Sequence, residues 1–213
     1  MVIDQIREGH DLPGGKRSSR EKVHVIACGA LAREIVAICT QHGLSHVDIQ
    51  CLPAIWHAHP QKIVPGLEKA LAEARQNGAT RIFFAYADCG TGGAIDRLCE
   101  REGISRIEGP HCYSFFSGNE AFEANADNDV QSFFLTDFLA RQFEAFVIEP
   151  LGLDRHPELK ELYFGNYRTL VYLSQLEDVE LQEKARQAAA YLGLTYEYRM
   201  TGYGDLAPAL THL

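Results

Sequence analysis

Three of the six cysteines stand where chemistry could be done: Cys28, Cys89 and Cys112 each fall in or at a turn that follows a short apolar run. Cys28-Gly29 ends Val23–Ala27, Cys89-Gly90 follows Arg81–Ala87, and Cys112 belongs to Gly109-Pro110-His111-Cys112-Tyr113, just after Arg106-Ile107. In an open parallel sheet such turns gather at the carboxyl edge, where ligands bind in a crevice between strands. A helix N-terminus behind the turn favours a thiolate over a thiol. Three thiolates from separate loops suit Zn²⁺ or an iron–sulfur cluster, with an imidazole from His111 or His57, or an open position, as the fourth ligand. No CxxC pair occurs, so the constellation is long-range. Taken singly, each cysteine reads equally well as a small buried hydrophobe. Cys39, Cys51 and Cys99 fall inside helical or strand-like runs and are assigned to packing.

Other residues could serve the same edge. Asp88-Cys89-Gly90-Thr91-Gly92-Gly93 is a glycine-rich turn into a helix. Gly90, Gly92 and Gly93 could let backbone approach a cofactor or an anion. The turn lacks the lysine of a P-loop and does not fit GxGxxG, so a nucleotide is not expected. Glu34, one helical turn past Ala30-Leu31, could act as general acid or base, although a helix-surface glutamate without such a role is commoner. His57, in Trp56-His57-Ala58-His59-Pro60, is a second candidate catalytic group. Asn166 and Tyr167, in Tyr163-Phe164-Gly165-Asn166-Tyr167, could line a pocket for a flat small-molecule ligand or simply pack their loop.

The elements that must position these groups alternate. Strand-like runs at 23–27, 47–52, 81–87, 169–173 and 195–199 are continuous and apolar or β-branched. Helical spacing follows over 30–42, 60–77, 94–101 and 179–192. A further helix is expected over 135–146, another from His156-Pro157, and a turn or loop over Asn125–Asp129. The repetition of strand, turn and helix predicts an α/β protein, with βα units in three layers around a mainly parallel sheet.

Composition sets the bounds. The chain has 213 residues, 46% of them apolar and 23% charged, an ordinary globular balance. One domain over 23–213 is expected, preceded by a flexible arm over 1–22. No apolar run approaches the roughly 20 residues of a membrane span, and the arm has no signal-like core. A cytoplasmic location with reduced cysteines follows as the expectation. The formal net charge of −9 disfavours nucleic acid and anionic lipid as partners.

Taken in order, several segments resemble one family. They are Cys28-Gly29-Ala30-Leu31 with Glu34, the turn 88–93, Gly109–Tyr113, Leu135-Thr136-Asp137-Phe138-Leu139, Phe164-Gly165-Asn166-Tyr167 and Gln175. From about residue 23 onward the chain looks like the domain of unknown function 1638 family. That resemblance implies a place beside corrinoid-dependent methyltransferases and their reductive activators, hence a role in corrinoid-linked one-carbon metabolism. The cysteines read as the site of a metalloenzyme in that metabolism; the alternative is a non-catalytic accessory that binds a corrinoid or a methyltransferase. A metal-free thiol enzyme, with one cysteine as nucleophile and His111 as its base, is the third reading. His57-Ala58-His59-Pro60 departs from the His-Asn-x-Pro segment of the family, which leaves His57 less secure than the cysteines.

Overall fold

The computed structural model describes residues 21–213, so all but the last two residues of the expected arm lie outside the described residues. The chain is α/β and every strand pair is parallel. The strands divide into two sheets rather than building one.

The first sheet contains β1 (Val23–Cys28), β2 (Val47–Leu52), β3 (Arg81–Ala85) and β4 (Ser105–Arg106), in the order β2-β1-β3-β4. Alternation along β1 sends Val23, Val25 and Ala27 to one face and Ile26 to the other. The first face packs on α1 (Ala32–Gln41) through Leu31, Ile35 and Ile38. The second packs on α2 (Ile63–Gln76) and α3 (Ala94–Glu102) through Leu67, Leu71, Ile95 and Leu98. The connection from β1 leads to one side and β3 returns on the other. Between β1 and β3 the strand order therefore reverses, which is where an open parallel sheet leaves a crevice beyond its carboxyl ends.

Three short helices, α4 (Cys112–Ser117), α5 (Asn119–Ala124) and α6 (Ala126–Asp129), lead to the second sheet. That sheet contains β5 (Ser132–Thr136), which continues into α7 (Asp137–Arg141) and a π-helical turn over Glu144–Ile148. After α8 (Leu159–Phe164) come β6 (Thr169–Ser174), α9 (Val179–Leu192) and β7 (Thr195–Met200), giving the order β5-β6-β7. The helix expected over 135–146 is thus corrected to a strand and a short helix. Phe134 and Leu135 are buried on opposite faces of β5, and a continuous apolar run of that kind has no period to separate strand from helix. Thr136 marks the change, accepting a hydrogen bond from the Leu139 N–H at 3.4 Å as the cap of α7. The loop expected at 125–129 is helical in its last four residues. Asp129 is buried there and accepts both arms of the Arg199 guanidinium at 2.7 Å each.

Two devices bind the halves. Tyr113 of α4 stacks on Phe134 of β5 at 5.5 Å. The last helix, α10 (Leu206–Thr211), then returns to the first sheet, where Leu206 and Leu210 are fully buried with Val23, Ile35 and Phe83. Gly204 lets it do so. Its φ is +48°, and a β-carbon there would stand 2.1 Å from the Phe115 carbonyl oxygen.

Candidate functional site

The carboxyl-edge loops of the first sheet meet. Cys28 is the last residue of β1, and a β-carbon on Gly29 would lie 2.8 Å from the Leu52 carbonyl oxygen, so the loops after β1 and β2 touch. Cys89 follows β3 in left-handed backbone, φ 49°, and is the only described non-glycine residue there. Asp88 and Cys89 donate their N–H groups to the carbonyls of Gly109 and Pro110, at 3.1 and 2.8 Å. Those bonds lay the loop after β3 along the loop that carries His111 and Cys112. Arg106 fixes the same loop from below. Its guanidinium forks onto Asp96 at 2.5 and 3.0 Å and donates to the Ile107 carbonyl at 2.6 Å.

Cys28, Cys89 and Cys112 are all half-buried and pack against one core cluster. They lie within electrostatic range of one another. Burial raises all three thiol pKa values, and the mutual repulsion of the sulfurs adds to it for Cys89 and Cys112. Cys89 is pushed up to about 12. The helix-terminus activation expected of these thiols therefore loses to desolvation, and they are neutral at pH 7. Tyr86, buried just past the end of β3, turns its hydroxyl toward Cys28 without meeting the geometry of a hydrogen bond, and burial raises its pKa as well. Among the described residues, no three His, Cys, Asp or Glu side chains are already set to hold a metal ion.

His111 stands at the same place. Its ring lies 5.3 Å from Tyr113 and 5.1 Å from Phe122, its Nδ1 is buried without a partner, and burial lowers its pKa. His57 is within electrostatic range of His111, in the 3₁₀ turn Ala54–Ala58. Desolvation pulls its pKa down, although the residue reaches the surface. Its turn is held by Trp56, whose ring covers Gly66 of α2 so closely that a β-carbon there would come within 2.1 Å.

The remaining residues expected at the site are placed differently. Gly90, Gly92 and Gly93 all have positive φ, as a tight turn requires. The N–H groups of Gly92 and Gly93 are donated to the Asp88 carboxylate at 3.1 and 2.7 Å, and Thr91 adds its hydroxyl at 2.7 Å. Those donors face an internal anion. Asn166 and Tyr167 are exposed in the turn ahead of β6, at the amino end of the second sheet, where Tyr167 packs edge-on to Phe133 at 5.8 Å. Cys51 is exposed on β2, which corrects its assignment to packing, whereas Cys99 is buried as expected.

Glu34 lies in the first turn of α1, only 6% exposed, with Oε2 buried and unpartnered. It faces the second half: burial chiefly raises its pKa, and Asp137 raises it further. Asp137 is 1% exposed and accepts from the Tyr172 hydroxyl at 2.7 Å and from the N–H groups of Gln175 and Leu176 at 3.1 and 3.2 Å. In return its own N–H donates to the Gln175 side-chain carbonyl at 2.8 Å. This clamp joins the carboxyl ends of β5 and β6. In the sequence, Asp137 and Gln175 stand out only through the family resemblance; a lone Asp at a helix start carries no further signal.

A family model described as "Protein of unknown function (DUF1638)" matches residues 51–210. The matched span includes His57, Cys89, His111, Cys112 and Asp137 and begins after Cys28 and Glu34. No curated protein and no solved structure matches the chain. No described helix is long and apolar enough to cross a membrane.

Proposed function

We propose that this chain, which belongs to the DUF1638 family, binds a soft metal centre through Cys28, Cys89 and Cys112, with His111 or a substrate atom in the fourth position. The observation that supports the reading is that three thiols, from the end of β1, the turn after β3 and the start of α4, pack against one core cluster within electrostatic range of one another. Protonated because burial and the repulsion between neighbouring thiolates both oppose ionisation, these sulfurs are a poor nucleophile set. A cation inverts that logic, because it favours the thiolates that burial opposes. The unpartnered His111 Nδ1 supplies an imidazole donor in the same place.

Zn²⁺ bound there would supply Lewis acidity toward a thiol, an amine or a water; an iron–sulfur cluster would supply an open iron or an electron. The protein's own residues do the rest. Asp88 shapes the turn that carries Cys89, and Arg106 holds the loop that leads to Cys112. The link to corrinoid-dependent methyl transfer, whether to a corrinoid protein or a methyltransferase, rests on the family resemblance alone.

Elemental analysis of anaerobically purified protein, beside the Cys28→Ser/Cys89→Ser/Cys112→Ser variant, tests the centre. About one metal per chain, lost in the variant, is the expected result. A brown colour with visible absorption assigns a cluster, and a colourless zinc protein assigns zinc. Metal-free protein, or a variant that retains the metal, overturns the reading.

A further inference from the structure

Strand β7 closes the second sheet on one side only. Its six residues pair in unbroken register with β6, and no described residue pairs with its outer edge. Natural sheet edges are blunted by proline, bulges or inward charges. β7 has no proline, and its continuous register leaves no bulge. Thr195, Glu197, Tyr198 and Met200 are exposed, Tyr198 at 37% and Met200 at 50%.

The sequence of this edge, Thr-Tyr-Glu-Tyr-Arg-Met, is complementary to itself. Turned end for end about Tyr198, it sets Glu197 opposite Arg199, Tyr198 opposite Tyr198 and Tyr196 opposite Met200. Opposite charges and aromatic pairs across antiparallel strands are stabilising, and like charges directly opposite are not. Centring the same pairing on Glu197 or on Arg199 would set like charges face to face. Centring it on Tyr196 or Met200 would leave Glu197 and Arg199 opposite uncharged residues, so only the Tyr198 register pairs opposite charges. Arg199 is already held rigid by Asp129 and Glu197 of its own chain. A two-fold axis through this point, normal to the sheet, keeps α9 of both copies on one side.

We propose that a second copy of this chain occupies the β7 edge, antiparallel about Tyr198, so that two three-stranded sheets become one six-stranded sheet. Sedimentation velocity of the full chain tests it, with an expected species of twice the chain mass. Tyr198→Lys and Tyr198→Glu each place like charges on the axis and should each sediment as monomers with unchanged circular dichroism. Mixed together, they set Lys opposite Glu and should restore the larger species. A monomeric wild-type chain, variants that still dimerise, or a mixture that stays monomeric overturns the proposal. Should either charged variant fail to fold, the Tyr198→Cys chain should crosslink between copies at position 198 on mild oxidation; a missing crosslink overturns it equally.

Discussion

Cys89 donates its backbone N–H to the carbonyl oxygen of Pro110 at 2.8 Å, and that bond ties the loop of one thiol to the loop of another. The spacing of the site is therefore set by backbone as much as by side chains. It should be sensitive to whatever shapes the turn.

Asp88 shapes it. Asp88→Ala removes three hydrogen bonds and leaves the Gly92 and Gly93 N–H groups without their acceptor. The expected loss is about 1–3 kcal/mol in urea unfolding, together with weaker metal retention. An unchanged midpoint would show that the turn holds itself.

pH should act through two carboxyls in opposite directions. Burial alone would raise the pKa of Asp88, but the bonds from Thr91, Gly93 and Gly92 outweigh it and hold it below its ordinary value. Its stabilisation is present above the unfolded value of 3.8 and is lost as pH falls through the lower folded value. Glu34 is raised, so the folded state binds its proton more tightly. Stability then declines as pH climbs from the unfolded value of 4.5 through the folded one. Glu34→Gln should be more stable than the wild type at pH 8 and lose that advantage by pH 4. Parallel unfolding curves at the two pH values decide it, and equal differences at both would refute the assignment.

Thiol reactivity should follow burial. At pH 8 a thiol near 12, such as Cys89, carries less than about a thousandth of the thiolate of an ordinary cysteine. Limited alkylation of metal-free protein, read by mass spectrometry, should therefore mark exposed Cys51 well before Cys28, Cys89 or Cys112. Equal labelling of all four would contradict the burial described.

Gly204→Ala is expected to cost at least about 2 kcal/mol, since the new methyl meets the backbone carbonyls of Phe115 and Phe116 at a left-handed φ. Thermal unfolding measures it, and wild-type stability in the variant would mean that the segment 203–205 can shift freely.

The turns after β1 and β3 were legible because each ends a continuous apolar run with Cys-Gly, and such runs name buried parallel strands directly. The division into two sheets was not legible. Periodicity says which residues share a face and nothing about which strand lies alongside. β5 was hidden for a related reason, since Phe133–Leu135 is apolar without alternation. The Asp137 clamp depends on partners 35 to 39 positions away, Tyr172, Gln175 and Leu176, and no local pattern encodes them. Likewise the suppression of thiolate character at Cys89 follows from packing density, which sequence spacing does not report.

The homeward course of α10 has a consequence for biosynthesis. Leu206 and Leu210 complete a core whose other members, Val23, Val25, Ile35 and Phe83, are translated well over a hundred residues earlier. On the ribosome, the leading half must wait with that wall open until Leu206 and Leu210 have emerged. Chaperone dependence should therefore last until α10 has been made, and a stop codon before Leu206 should harm the first sheet more than the second.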